Sequence, residues 1–473
     1  MNDPQVTGDS TGAGTSRLKP HVSSLEPGRR PLAPPGPKGH WLWGSAAEFR
    51  GDELGFFERC AAEFGDVARF RLGPKRIVLV SHPEMIEDIL VTQNRRFRKH
   101  FAMRLLRFVL GEGLLLSEGD FWLAQRRLMQ GMFSPKRIDA YSGTMVEHTT
   151  RMLDGWREGE PQDIHAEMMR LTLTIAAKVL MDVDGSRDYR TVADAIDVLM
   201  EDFNYRLQVP WAWPRFLPTP WNRKAQAAVG RLNDVVGQII SERRADPRDR
   251  GDLLSLLVGA RDEATGRGMT DRQLRDEVTT MFLAGHETTA NALTWTWYLL
   301  ARNPSTMAKL ADEVATVLGG RLPTAKDATR LVYAERVVRE AMRLYPPAFV
   351  IGREALEDCT VGGYTFRRGA TFLMSQWVVQ RDARWYEHPQ RFDPDRWTEP
   401  FTASLPKYAY FPFGGGPRVC IGKGFAILET VLVLATMITR VRLTLPEDAK
   451  IEPWPAITLR PKQAMVMDVA SVS

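Results

Sequence analysis

Between about Asp120 and Arg343, apolar residues recur at three- and four-residue spacing in long runs, the pattern of helices that each bury one face. The longest run opens at Thr270-Asp-Arg-Gln273, which has the form of a capping box, and it ends at Arg302 before Asn303-Pro304. Those roughly 32 residues span about 48 Å at the α-helical rise, enough to cross a globular protein. Towards both ends of the chain the period shortens to two. Val67 to Leu72, the turn Gly73-Pro74 and Ile77 to Val80 predict a β-hairpin, and His82-Pro83 predicts a helix start. Strand patterns return at Thr360 to Thr365, at Ala370 to Met374, and in the tail at Ala456 to Leu459 and Ala464 to Val469. A proline-rich segment with four aromatic residues, Val209 to Trp221, interrupts the helical region. The expected fold class is mainly α with small β-sheets (α+β), the sheet region being drawn from both ends of the chain.

Composition narrows the function more than the fold. The 473 residues are 44% hydrophobic, ample for a large core. Residues 1–30 are polar and rich in Ser, Gly and Pro, so a disordered tail is expected there rather than a signal peptide or membrane anchor. No run of about 18 apolar residues suggests a membrane span, and a soluble, cytoplasmic protein is the simplest expectation. The net charge of +5 comes without a basic stripe or aromatic stacking platforms, which argues against nucleic-acid binding. Three scattered cysteines (Cys60, Cys359, Cys420) are too few for a disulfide framework or a four-thiolate zinc site.

Two stretches carry the candidate chemistry. Cys420 ends the loop Phe411-Pro-Phe-Gly-Gly-Gly-Pro-Arg-Val-Cys420, continued by Ile421-Gly-Lys-Gly424. Its glycines let backbone approach a flat ring and leave N–H groups to face the sulfur, and the apolar run from Phe425 predicts a helix whose N-terminus faces it too. One thiolate suffices to ligate a haem iron. A buried free cysteine beside a Gly/Pro turn is the alternative that these residues alone allow. In the middle of the long helix, Ala284-Gly-His-Glu-Thr-Thr289 breaks an apolar pattern with a polar cluster. A threonine hydroxyl there can bond the carbonyl four residues back and bend the helix.

The pattern Phe413-x-x-Gly416-x-Arg418-x-Cys420-x-Gly422 resembles the haem-binding signature of the cytochrome P450 superfamily. That resemblance implies a single domain over residues 31–473 with a long central helix, holding haem b with Cys420 as the iron ligand. Arg418 would pair with a propionate and Phe413 would pack near the sulfur. Residues 284–289 are similar to the family's oxygen-binding motif, in which Glu287 and Thr288 would form the proton-delivery pair and Ala284 would border both haem and substrate. Trp122-Leu-Ala-Gln-Arg126 is similar to the family's Trp-x-x-x-Arg motif, so Trp122 and Arg126 would face a propionate, with Arg353, Lys99 and His100 as further candidates. Glu340, Arg343 and Arg396 take the places of the family's buried Glu-Arg-Arg triad, although Asp395 and Trp397 depart from the commoner Glu and Phe.

Substrate walls, by the same resemblance, would include Met103, Leu106, Phe108, Ala284, Phe349, Val350, Ile457 and the aromatic segment near Trp211. Their apolar character implies a hydrophobic small molecule of terpene or fatty-acyl type. The resemblance therefore implies a monooxygenase using O2 and two electrons. With about fifty residues after Cys420, a fused reductase is not expected. The donor would be a ferredoxin or flavodoxin with its NAD(P)H reductase, docking near Lys423, Arg127, Lys136 and Arg137. A peroxide-dependent or isomerising haem-thiolate enzyme and a non-catalytic haem sensor are the alternatives, and the intact acid–alcohol pair weighs against the first.

Overall fold

The computed structural model describes residues 33–183, 189–208, 214–246, 248–261 and 266–472. The expected disordered tail, along with Trp211 and Trp213, lies outside them. Six helices position the site: α1 (Gly119–Gln130), α2 (Pro135–Asp154), α3 (Ile164–Met181), α4 (Asp271–Arg302), α5 (Val332–Leu344) and α6 (Lys423–Ile438).

The central helix α4 has the boundaries its sequence signals. Gln273 N–H donates to Thr270 Oγ1 (3.3 Å) and Thr270 N–H donates back to Gln273 Oε1 (2.8 Å), closing the capping box. The helix is buried on nearly every side, with Trp295 and Trp297 fully enclosed. It packs against α3 on one flank and against α5 and α6 on another. α6 is mostly apolar from Leu428 to Ile438, with Glu429 and two threonines among the apolar residues, and is buried on every side, leaving only its first turn open beside Cys420.

One five-stranded sheet draws on both ends of the chain. Its strands β1 (Val67–Leu72), β2 (Lys75–Val80), β3 (Phe97–Lys99), β4 (Ile351–Ala355) and β5 (Thr371–Met374) lie in the order β1-β2-β5-β4-β3. The β1–β2 hairpin turns at Gly73 (φ +57°), a left-handed position that suits glycine. β2 and β5 are parallel, so the connection between them contains almost the whole helical body. A second, short hairpin, Pro453–Pro455 with Leu459–Pro461, lays the tail on α4, where Trp295 Nε1 donates to Leu459 O (2.9 Å). No helix among the described residues is long and apolar enough to cross a membrane.

A cysteine-centred candidate active site

The loop before α6 needs its glycines. Gly414 and Gly416 have φ of +71° and +65°, and a Cβ on Gly416 would stand 1.9 Å from the Leu90 carbonyl oxygen. Cys420 N–H donates to Phe413 O (3.0 Å), which folds the loop back on itself and fixes where the sulfur points. Cys420 is exposed. Its protein surroundings still push the thiol up, while Gly422 N–H and the charges of Arg126 and Lys423 favour the thiolate. Arg126 reaches this point from α1 and donates to Val419 O (2.9 Å).

Beside the loop, cations gather with too few anions. Lys99 on β3 stands directly opposite Arg353 on β4, a like-charge pairing that costs stability. Arg353 is buried, and burial pulls it down to about 10. Burial also holds Lys99 well below its ordinary value, with Arg353 and Arg418 pushing the same way. Arg418 donates to Ser117 O (2.8 Å), pairs with Glu118 and lies 4.5 Å over the Trp122 ring. Its Nη1 is buried without a hydrogen-bond partner. Glu118, which also accepts from Lys99 N–H (2.7 Å), is the carboxylate set against these three cations. A planar group with two carboxylates would supply the missing anions, so the residues fit a haem held by its propionates. His100 does not join them as a cation: burial pulls it down to about 4, and its ring packs where a Cβ on Gly352 would approach within 2.5 Å.

A test of opposite signs follows. Arg353→Met is expected to weaken haem retention while leaving the haem-free chain as stable as wild type or more so, since it removes a like-charge cross-strand contact worth a few tenths of a kcal/mol. Haem transfer to apomyoglobin and thermal melts of the haem-free protein check the two halves. An unchanged transfer rate would take Arg353 out of the propionate site.

On α4, the polar cluster lies where the helix is open. Ala284 is exposed and Gly285 and Thr288 are half-buried in a helix otherwise closed on both sides. Thr288 Oγ1 donates to Ala284 O (2.7 Å), the local bond expected of a threonine that bends a helix. Glu287 turns elsewhere. One residue is about 100° of helical rotation, and Glu287 is buried against the tail hairpin, accepting from Thr458 Oγ1 (2.5 Å), which in turn accepts from Asn291 Nδ2 (3.0 Å). Burial raises its carboxyl, against the Thr458 hydrogen bond and the charge of Arg460. The acid and the alcohol are thus neighbours in sequence that face different surroundings. His286 is buried, its Nδ1 3.2 Å from Phe282 O. Thr289 bonds Glu429 on α6, a buried carboxyl that burial pushes up to about 8, and so ties this turn of α4 to the helix behind the cysteine.

Glu340, Arg343 and Arg396 come together. Glu340 and Arg343 are wholly buried and joined by two hydrogen bonds (2.8 and 2.9 Å), and Arg396 Nε donates to Glu340 Oε1 (3.0 Å). Trp397, where the family pattern has Phe, donates its indole N–H to Glu340 Oε2 (2.8 Å). Asp395 instead lies on the surface, paired with Lys309.

The expected substrate walls are only partly together. Met103, Leu106, Phe108 and Ile457 belong to one apolar cluster with Phe282 and Leu283 of α4. Phe349 and Val350 pack in a different one, beneath the sheet, and Phe349 is 3% exposed, so it is core rather than an open wall. Inside the first cluster a small apolar cavity, about the size of one water molecule, is lined by Val109, Thr279, Phe282 and Leu283 together with Ile196, Leu199, Met200 and Leu232. The last four come from the helices Tyr189–Gln208 and Pro220–Ala245, whose amphipathic pattern did not reveal which face meets the cavity. Glu118, Thr458, Asn291 and Glu429 were equally silent in sequence, because each gains its meaning from a partner at least nineteen residues away.

Fold and site together suit a class: a helical protein with a cationic cradle fit for a flat dianionic cofactor, an exposed cysteine beside it, and a long central helix whose polar cluster is open at Ala284. Comparison with known proteins makes the class specific. The cytochrome P450 family pattern matches residues 34–467. Cyclooctatin synthase of Streptomyces melanosporofaciens is 36% identical over 397 residues, 84% of this chain and 86% of that protein. Pentalenene oxygenase of Streptomyces avermitilis is 35% identical, covering 82% and 86%, and cyclooctat-9-en-7-ol 5-monooxygenase of Streptomyces melanosporofaciens is 34% identical, covering 80% and 83%. The chain belongs to the cytochrome P450 family. It is a haem-thiolate monooxygenase, dependent on O2 and on electrons from a redox partner.

Proposed function

We propose that this monooxygenase hydroxylates a terpene rather than a fatty-acyl chain. The observation that supports the reading is the apolar cluster between α4 and the helices above it, where Met103, Leu106, Phe108, Val109, Phe282 and Leu283 gather. The relatives' names, pentalenene oxygenase and cyclooctat-9-en-7-ol 5-monooxygenase, point the same way. The cofactor is haem b, which Cys420 would hold through its sulfur and Arg418, Arg353, Lys99 and Arg126 through its propionates. When bound, it supplies dioxygen activation and the oxidising power for an unactivated C–H bond. Thr288 holds a proton donor at the oxygen site, and Glu287, by rotating from Thr458, resupplies it. The apolar lining keeps bulk water from the reacting carbon.

Lys423, Arg127 and Lys136 are exposed near the cysteine loop and suit an acidic ferredoxin or flavodoxin with its NAD(P)H reductase. Arg137 contributes less, being turned to Asp249 at 3.5 Å. Three free thiols suit the reducing cytoplasm.

Spin-state titration with terpenes against fatty acids tests the substrate, a shift with fatty acids alone overturning it, and Thr288→Ala tests the proton delivery. With a substrate that gives a clear spin-state shift, NADH consumption is expected to stay near wild type while a larger share is recovered as hydrogen peroxide and less as hydroxylated product. Unchanged coupling would remove Thr288 from proton delivery and favour a peroxide-dependent enzyme. No product with any terpene that shifts the spin state would favour a sensor.

A further inference from the structure

Glu287 has a buried neighbourhood that its catalytic role leaves unexplained. Glu287, Asn291 and Thr294 recur at four and three residues along α4 and so form one stripe, on the side turned to the tail and to α3. Both Asn291 and Thr294 are fully buried. Thr458 Oγ1 links Glu287 to Asn291. Asn291 Oδ1 is buried with no hydrogen-bond partner, an open acceptor in the middle of the stripe. One turn further on, Thr294 Oγ1 donates to Ala290 O (2.7 Å) and lies 3.5 Å from His165 Nδ1, from which it can accept. His165 is half-buried at the first turn of α3, beside Asp163, which caps that helix by accepting from His165 N–H (3.1 Å). Arg460 acts electrostatically on both Glu287 and His165, which sets the two ends of the line about one cation. From Glu287 to Thr294 is roughly 10 Å at the helical rise.

Buried polar side chains are costly in a helix that could be apolar, and an unsatisfied amide oxygen costs about 1–3 kcal/mol. We infer that Thr458, Asn291, Thr294 and His165 form the path by which protons from solvent reach Glu287. Each proton that Glu287 surrenders to the oxygen site is replaced by one entering at the His165 imidazole, so the line gains no net charge. The hydroxyls of Thr294 and Thr458 pass protons by rotating. Asn291, whose amide does not itself carry a proton, holds the water that spans the gap between them. Asn291 and His165 are therefore positioning and relay residues, and neither touches the substrate. The inference rests on Glu287 as the proton reservoir of the proposed mechanism.

Hydrogen–deuterium exchange of the Glu287 carboxyl provides the test, followed by infrared spectroscopy after rapid mixing of holoenzyme into D2O at a pH where the acid is protonated. The band is identified by its loss in Glu287→Gln. Exchange is expected to slow at least tenfold in Asn291→Leu and in His165→Phe, and added imidazole is expected to restore it in His165→Ala. His165 is partly exposed, so its variants keep the test informative if Asn291→Leu misfolds. Wild-type exchange in His165→Phe would overturn the path. Slowed exchange alongside unaltered coupling in Thr288→Ala would keep the path and sink the catalytic reading of the acid, so the two failures are separable.

Discussion

Cys420→His is expected to abolish the red-shifted Soret band that a thiolate-ligated haem shows in its reduced carbon monoxide complex, and with it all hydroxylation. The loop dictates this outcome. Gly416 lies against Leu90, Cys420 N–H is bonded to Phe413 O, and α6 starts three residues later, so no other side chain can be carried to the sulfur's position without rebuilding the turn. An imidazole there is longer than a thiol and lacks the thiolate's electron donation, on which O–O cleavage depends. Spectra of the reduced carbon monoxide complex check it, with Cys420→Ala as the second variant. A retained band in either variant would mean that another residue ligates the iron. Cys60 and Cys359 are poor substitutes, both being buried in apolar clusters.

The second large effect is on folding. Glu340→Ala is expected to leave little soluble, haem-loaded protein, because Arg343 and Arg396 would lose a carboxylate that accepts from both, from Trp397 and from Asp393 N–H. Breaking a buried pair by removing one partner costs about 3–5 kcal/mol, a large fraction of a typical domain's stability. Arg343→Ala would do the same, freeing the carbonyls of Gln380, Pro389 and Arg391 as well. Expression yield and haem content measure the effect. Well-folded holoprotein from both variants would reduce the triad to a dispensable contact.

How far the sequence could be read depends on the range of the interaction. The capping box at Thr270, the stop at Asn303-Pro304 and the Gly73 turn are local events, and each sits where its residues place it. The cysteine loop is also local, since its glycines and the helix start at Lys423 are consecutive in the chain. The cationic cluster was half visible: arginines stood out as candidates, yet the opposition of Lys99 to Arg353 is a strand register, set by packing across some 250 residues. Glu287 shows the limit most clearly. Adjacency to Thr288 suggests a contacting pair, and helical rotation with a partner in the tail turns it away. Trp397 stands in sequence only as a departure from the family's Phe, and its indole contributes a further donor to the buried acid. Phe349 reads as a wall by position and packs as core.

The parallel pairing of β2 with β5 has a temporal consequence. Residue 80 finds residue 374 only after the helical body between them exists, and Lys99 finds Arg353 later than the ribosome has released most of the chain. Contacts of such long range are slow to form and leave apolar strand edges uncovered meanwhile. The residues that fit the cofactor are completed by this late closure and by the still later cysteine loop, so haem capture is expected near the end of folding. Haem supply during synthesis is then expected to raise the yield of folded protein, since haem would neutralise the opposed cations as the sheet closes.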